Sequence, residues 1–194
     1  MKTKKRIEIC GVIGSGKTTL CANTSSLGLN ACFENFTQNP FLKYFYEAPK
    51  KYALETEITF LLLHYNSIKR EICTDLNVCD FSLIQDLAYA DINLDEDQKN
   101  IFFDLAKYVF DEIRLPDLVV FLRCPSDIVL SRIKNRGRPL ESSIDINYID
   151  VLEKAIELQI NKFYHSVKIL EIDSFLNDFT SSVPLVLKNS IYNI

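Results

Sequence analysis

The sequence predicts an α/β fold, a three-layer sandwich in which a five-stranded parallel sheet has helices on both faces. Short apolar runs alternate with longer amphipathic runs, which is typical of a parallel sheet covered by helices. No internal repeat, low-complexity tract or Gly/Ser linker divides the 194 residues, and this length suits one domain with one sizeable core. We therefore expect residues 1–194 to form a single domain.

The strands are predicted from short apolar runs, and the helices from apolar side chains that recur every three or four residues. Leu54, Ile58 and Leu61 show this spacing in the longest helical segment, and Asp95 is an N-cap residue followed by acids. The predicted strands are residues 7–10, 31–33, 76–79, 118–123 and 167–172. The predicted helices are residues 17–26, 51–73, 95–113, 126–136 and 147–164, and the C-terminal tail is weakly helical.

The composition excludes several classes of protein. Twenty-two basic and 26 acidic side chains give a net charge of −4, so no positive field favours nucleic acid as the main partner. The six cysteines include no C-x-x-C pair, which argues against a zinc or redox site. The apolar stretches are far below the ~18 residues of a membrane span, and no apolar segment follows the basic start. We expect a cytoplasmic protein without membrane or nucleic-acid partners.

A phosphate-binding motif follows the first predicted strand directly. Residues 11–18, Gly-Val-Ile-Gly-Ser-Gly-Lys-Thr, fit the pattern G-x-x-x-x-G-K-[ST] and are called the phosphate loop below. The glycines let the backbone curl so that its N–H groups face phosphate oxygens, and the following helix adds its positive end. Lys17 is expected to reach the β- and γ-phosphates, and Thr18 to bind Mg²⁺. The predicted ATP-binding residues are Gly11, Gly14, Ser15, Gly16, Lys17, Thr18 and Thr19.

The rest of the sequence favours a small-molecule kinase among the proteins with such a loop. The guanine motif N-K-x-D of GTPases is absent, and a motor protein would be larger. Arg132, Arg136 and Arg138 lie at a predicted helix end, where Gly137 allows the chain to bend. We predict that residues of about 132–142 form a lid that closes over the triphosphate and supplies positive charge. The alternative is a solvated basic helix end.

With the phosphate loop, the lid pattern R-x-x-x-R-x-R-x-x-E resembles the deoxynucleoside kinases, especially the small bacterial deoxyadenosine and deoxyguanosine type. The resemblance covers nearly the whole chain. Phe33-Glu34-Asn35 lies where the family has Glu-Pro, residues 39–46 resemble N-P-[FY]-L-x-x-F-Y, and residues 80–86 match D-R-S-x-x-x-D except that Phe81 replaces the arginine. The resemblance implies a P-loop NTPase-type fold, ATP and Mg²⁺ as cofactors, and transfer of the γ-phosphate to the 5′-hydroxyl of a deoxynucleoside.

The resemblance also assigns catalytic roles. A sugar hydroxyl that attacks phosphorus needs a nearby carboxylate to accept its proton. The family places this base at Glu34, which follows the second strand at the ligand-binding edge of the sheet, unless Glu34 is a surface acid in a loop. Asp80 would support the Mg²⁺ site with Thr18, unless it is a simple helix N-cap. The predicted catalytic residues are Lys17, Glu34, Asp80, Arg132, Arg136 and Arg138.

The nucleoside pocket follows from the same resemblance. Glu57 lies where the family has a glutamine that contacts the base, and His64 where it has an arginine, unless His64 is a half-buried core histidine. An ionised glutamate accepts but cannot donate, which disfavours thymidine and allows deoxyadenosine, deoxycytidine or deoxyguanosine. The subfamily resemblance favours a purine. Tyr46 and Glu141 would bind the sugar 3′-hydroxyl. The predicted substrate-binding residues are Glu34, Tyr46, Glu57, His64, Phe81, Asp86 and Glu141.

Phe81 is the departure that matters most. The arginine it replaces helps to position the hydroxyl and the base carboxylate, and phenylalanine cannot donate, so another group must do this or turnover is weaker. A nucleoside monophosphate kinase of the thymidylate type would need an arginine there, which counts against that alternative. A degenerate nucleotide-binding regulatory module is the other alternative. By resemblance, we expect a homodimer formed through the helix at residues 51–73.

Overall fold

The computed structural model describes residues 4–194 and contains a five-stranded parallel sheet. The strands are β1 (Lys5–Cys10), β2 (Asn30–Cys32), β3 (Leu76–Cys79), β4 (Leu118–Arg123) and β5 (Lys168–Asp173). Their order is β2-β3-β1-β4-β5, with parallel pairing throughout. The predicted sheet is confirmed, each strand within two residues of its predicted ends. The first three residues of the basic start lie outside the described residues.

Helices cover both faces of the sheet, and the five long predicted helices are present. The helices are α1 (Lys17–Thr24), α2 (Leu42–Glu47), α3 (Pro49–Glu71), α4 (Leu83–Asn93), α5 (Glu96–Glu112), α6 (Ser126–Arg136), α7 (Ile146–Phe163) and α8 (Leu185–Ile191). Within residues 4–194, none of them is both long and apolar enough to span a bilayer.

Helices α2 and α4 have no counterpart in the sequence prediction. Helix α2 has only six residues, too few to show a period. Helix α4 is buried over most of its surface, so it lacks the polar face that marks an amphipathic helix. Helix α5 begins as predicted, because Asp95 accepts a hydrogen bond from the Gln98 backbone N–H at 2.9 Å in a capping box.

The sheet is buried on both faces, and side chains alternate between two cores. In β4, Val119 and Phe121 belong to the larger core with α3, α4, α5 and α7. Leu118, Val120 and Leu122 belong to the smaller core with α1 and α8. This is the arrangement of a parallel strand, in which an almost continuous apolar run faces helices on both sides.

A buried polar cluster ties α4 and α7 to the central strand. The Glu8 carboxylate of β1 is fully buried and accepts hydrogen bonds from Arg6 Nε at 2.9 Å, Ser82 Oγ at 2.7 Å and Tyr164 Oη at 3.3 Å. Removing one member would leave a buried charge uncompensated, which is costly. The cluster therefore fixes the start of α4, the helix that carries several residues of the candidate site.

The candidate site lies at the carboxyl edge of the sheet. The phosphate loop follows β1, Glu34 follows β2 and Asp80 follows β3, and these three strands are neighbours. Open α/β sheets bind their ligands at this edge. The topology therefore brings together residues that are far apart in the sequence.

Candidate active site

The phosphate loop joins β1 to α1 through glycines with left-handed backbone. Gly11 has φ of +148°, and a Cβ there would lie 2.8 Å from Ser15 Oγ and 2.9 Å from the Leu122 carbonyl oxygen. Gly16 has φ of +102°, which L side chains rarely adopt. The Gly11 N–H donates to Gln85 Oε1 at 3.2 Å, so α4 supports the loop from behind. The backbone thus needs glycine at these positions.

Two side chains of the loop are suited to phosphate. Lys17 Nζ donates to the carbonyl oxygens of Gly11 and Val12 at 2.9 and 3.2 Å, so the ammonium group lies across the loop. Burial lowers the pKa of Lys17, and the carboxylates of Glu34 and Asp80 oppose this shift. Ser15 Oγ is buried and has no hydrogen-bond partner among residues 4–194. A phosphate oxygen would give both groups a partner.

Glu34 and Asp80 are held together by the backbone. The Glu34 N–H donates to Asp80 Oδ1 at 2.5 Å, and the Asp80 N–H donates to the Cys32 carbonyl oxygen at 3.1 Å. Burial raises the pKa of Asp80, opposed by the hydrogen bonds from the Glu34 N–H and the Thr18 hydroxyl. The N-cap of α4 is Ser82, so the alternative of Asp80 as the N-cap is wrong.

Thr18 and Asp80 could hold a magnesium ion. Thr18 is exposed toward the cavity, and its hydroxyl opposes the rise in the pKa of the Asp80 carboxyl group. No cluster of three or more His, Cys, Asp or Glu side chains within residues 4–194 could bind a metal alone. Two hard oxygen ligands suit Mg²⁺, which keeps several waters and takes further ligands from substrate phosphates.

His64 lies between two carboxylates and two aromatic rings. Its Nδ1 lies 2.8 Å from Asp86 Oδ2, and its Nε2 forms an ion-pair contact of 3.3 Å with Glu34 Oε1. The imidazole stacks on Phe81 with ring centroids 4.4 Å apart and on Phe60 at 5.9 Å. Burial alone would lower the pKa of His64, but Asp86 and Glu34 raise it to about 10. The ring is therefore a cation at neutral pH.

The same cation affects Glu34. The side chain of Glu34 is 28% exposed, and burial alone would raise its pKa. His64, Lys17 and Arg138 outweigh burial and lower the pKa of Glu34. Glu34 is therefore ionised at neutral pH and can accept a proton.

Burial favours the protonated form of Glu57, which differs from the expectation that it only accepts hydrogen bonds. Glu57 is 4% exposed, and burial raises its pKa to about 8, although Asn93 Nδ2 donates to Oε1 at 2.8 Å. A protonated carboxyl group has one donor and one acceptor, like the glutamine amide of the family. Asn93 was missed by the sequence analysis. It lies on the same face of α4 as Asp86, seven residues earlier, so recognising α4 would have found it.

The lid arginines face the same cavity as the phosphate loop. Arg136 and Arg138 pair with Glu141 at 2.5 and 3.2 Å, and Gly137 ends α6 in a left-handed conformation. Arg138 also lies over the Phe36 ring at 4.5 Å. The pairing with Glu141 holds the arginine side chains near the cavity.

Arg132 connects the lid helix to the phosphate loop. It donates to the Ser174 carbonyl oxygen at 2.8 Å and lies 3.4 Å from the carbonyl oxygen of Ser15. Ser174, just after β5, was missed by the sequence analysis, and no motif in the sequence marks it. Arg132 therefore links α6, the phosphate loop and the segment after β5.

A cavity of about 970 Å³ connects these groups. Phe81 does not line it, which corrects its prediction as a substrate-binding residue. Phe81 is only 1% exposed because it packs behind His64. Burial raises the pKa of Tyr46, which does line the cavity, to about 12. The predicted residues that line the cavity are Gly14, Gly16, Lys17, Thr18, Thr19, Glu34, Tyr46, Glu57, His64, Asp86, Arg132, Arg136, Arg138 and Glu141.

Comparison with known proteins agrees with this geometry. The model of the family described as deoxynucleoside kinase matches residues 7–189. A deoxyguanosine kinase of Lactobacillus acidophilus is 32% identical over 191 residues, which cover 91% of this chain and 83% of the relative. A deoxyguanosine kinase of Bacillus subtilis is 26% identical over 188 residues, with 92% and 91% covered.

A solved structure has the same fold. The structure of deoxyadenosine kinase from M. mycoides with bound dCTP superposes with a TM-score of 0.81 at 25% identity. The match covers 97% of this chain and 100% of the other.

Proposed function

The chain belongs to the deoxynucleoside kinase family and is an ATP-dependent phosphotransferase, and we propose that it transfers the γ-phosphate of ATP to the 5′-hydroxyl of a purine deoxynucleoside. The observation that carries this proposal is the position of Glu34. Glu34 lines the cavity together with Lys17 of the phosphate loop and with the buried pair Glu57 and His64. A nucleoside bound at Glu57 would therefore direct its sugar toward the phosphate loop.

Glu34 acts as the general base in this proposal. Its lowered pKa keeps the carboxylate ionised, and the hydrogen bond from its own N–H to Asp80 fixes the backbone at that point. A 5′-hydroxyl at hydrogen-bond distance would transfer its proton to Glu34 as the oxygen attacks the γ-phosphorus. A positioned base contributes about 10²–10⁴-fold to the rate of such reactions.

Fixed positive charges stabilise the phosphoryl group during transfer. Lys17 lies across the phosphate loop, and Arg132, Arg136 and Arg138 line the same cavity. Phosphoryl transfer is catalysed mainly by positioning and by charge, because the transition state spreads negative charge over the phosphoryl oxygens. Thr18 and Asp80 would hold Mg²⁺, which would supply further positive charge to the phosphates.

The purine preference rests on Glu57 and on the relatives. A protonated Glu57 has a donor and an acceptor, and it matches the N6–H and N7 edge of adenine. The ionised form matches the N1–H and exocyclic amine of guanine. The relatives named above are deoxyguanosine and deoxyadenosine kinases. We therefore favour deoxyadenosine or deoxyguanosine as the substrate, in nucleotide salvage.

A cytoplasmic homodimer completes the proposal. Helices α3 and α5 pack side by side and expose Leu62, Ile101 and Tyr108, which are 42%, 56% and 58% accessible. Burying these side chains against a second copy would remove apolar surface from water. Light scattering should give the mass of two chains, and a single-chain mass would refute the dimer.

The experiment that tests the function is coupled ADP release with Mg·ATP and a panel of substrates. The panel consists of the four deoxynucleosides and their 5′-monophosphates. We expect turnover on at least one purine deoxynucleoside and no turnover on the monophosphates. Turnover on a monophosphate alone would assign the chain to the other kinase class. No turnover, despite measurable ATP binding, would refute the activity.

A further inference from the structure

We propose that His64 positions the Glu34 carboxylate and that the stacked ring of Phe81 holds the imidazole in place. The family resemblance expects an arginine at position 81 for the positioning of this carboxylate. His64 is thus a positioning residue, because it acts through Glu34. The proposal rests on the proposed role of Glu34 as general base.

The two ring nitrogens of the imidazole face carboxylates, although Nε2 forms no hydrogen bond with residues 4–194. Nδ1 lies within 2.9 Å of both carboxylate oxygens of Asp86, which orients the ring from α4. Nε2 then points to Glu34 Oε1 at 3.3 Å, close enough for an ion pair. Because Asp86 fixes the ring at Nδ1, the ion pair at Nε2 can form only when the Glu34 carboxylate lies at this position. The pair therefore limits where the base carboxylate can lie.

The faces of the imidazole are occupied as well. Phe81 stacks on it at an interplanar angle of 7°, and Phe60 lies one helical turn before it at 28°. A cation over an aromatic face gains stabilisation, more so when it is buried as here. The ring is 5% exposed, so neither water nor another side chain competes for its position.

The stacking couples positions 64 and 81. The centroids lie 4.4 Å apart, so an arginine at position 81 would have to enter the space that the imidazole fills. A cation can come from position 64 or from position 81, but both do not fit. His64 and Phe81 are the two departures from the family pattern, and together they move the cation from position 81 to position 64. Phe81 therefore does not disable the site.

A double-mutant cycle tests this coupling. His64→Ala and Phe81→Arg should each lower kcat by about 10–10²-fold, because a base misplaced by about 1 Å can cost that much, while KM for ATP stays constant. The double variant should recover about tenfold over either single variant, because the smaller side chain at position 64 would leave room for the arginine beside Glu34.

Further variants make the result decisive. His64→Ala leaves Asp86 without its partner and is destabilising if the buried charge persists. His64→Gln keeps a donor for Asp86 but removes the cation from Glu34, so a folded variant should still lose kcat. The exposed His165, changed to Gln, is the matched control and should match the wild type.

Three results would overturn the proposal. The first is a folded His64→Gln variant with wild-type kcat. The second is a single variant that loses kcat and ATP binding to the same extent. The third is a double variant whose loss in kcat equals the product of the two single losses. Failure of the proposed function is a separate result, because the wild-type protein would then show no turnover on deoxynucleosides. Failure of the base role alone would leave kcat unchanged in Glu34→Gln whatever happens at His64.

Discussion

The two ends of the cavity are built in different ways. At the phosphate end, one contiguous loop supplies the backbone geometry. The positive charge comes from Lys17, which belongs to the loop, and from Arg132 of the lid, which lies beside it. At the nucleoside end, Glu34 follows β2 while Glu57 and His64 lie on α3, and all three are buried or partly buried. Their protonation states depend on the neighbours that the fold supplies. The first end is defined by the sequence motif, and the second by tertiary structure.

This difference has a consequence for mutation. Changes at the phosphate end should act on every nucleoside in the same way, because the triphosphate is common to all reactions. Changes at the nucleoside end should act differently on different bases and at different pH. The exception is Glu34, which lies where the two ends meet and should affect every reaction.

Glu34→Gln should cause the largest effect. The amide cannot accept the hydroxyl proton as a base, so we expect kcat to fall by about 10²–10⁴-fold for all substrates, with ATP binding kept. Steady-state rates combined with calorimetric ATP binding would show this. A kcat within about twofold of the wild type would remove Glu34 from the base role.

Lys17→Met should have the next largest effect. The change removes the ammonium group that faces the phosphates, so we expect kcat/KM to fall by about 10²–10³-fold for every nucleoside alike. The exposed Lys154, changed to Met, is the matched control and should leave the rate unaltered. A loss that differs between nucleosides would contradict the division of the cavity into two ends.

Glu57→Gln should change the pH dependence and little else at pH 7. Below pH 8 the wild-type carboxyl group is protonated, and the amide imitates it, so the two enzymes should bind deoxyadenosine alike. Above pH 8 the wild-type carboxyl ionises and loses its donor, so KM for deoxyadenosine should rise in the wild type and stay level in the variant. Parallel profiles up to pH 9 would contradict the titration of Glu57 near pH 8.

The smallest expected effect is the contribution of His64 to the pH dependence of the free energy of unfolding. The pKa of His64 is about 10 in the folded protein and about 6.5 in the unfolded chain, so the folded state keeps a proton that the unfolded state releases. This contribution is fully present below pH 6.5 and is lost as the pH rises through 10. Denaturant unfolding between pH 7 and 9 should show stability falling less in a folded His64→Gln variant than in the wild type. Equal slopes would contradict the charged state of His64.

Much of the fold was predictable because its signals are local. The five strands are short apolar runs, and the capping box at Asp95 needs only neighbouring residues. The phosphate loop can be recognised from its eight consecutive residues alone. Helix α4 was not predictable from periodicity, because it is buried on most sides and has no polar face.

The site was predictable in its residues but not in its electrostatics. Family resemblance indicated Glu57 and His64, yet the proton on Glu57 depends on burial, and the charge on His64 depends on Asp86 and Glu34 across the fold. The ring of Phe81 was expected at a substrate-binding position and instead lies behind His64. No pattern in the sequence shows that positions 64 and 81 are in contact.

Identification of the reaction products would show whether the two ends of this cavity meet at a 5′-hydroxyl. The wild-type protein would be incubated with Mg·ATP and deoxyadenosine or deoxyguanosine, and the products followed by ³¹P NMR and chromatography. We expect ADP and the 5′-monophosphate in equal amounts, and no product from the 5′-deoxy analogue. ADP formed at the same rate without nucleoside, or a phosphate attached at another position, would contradict it.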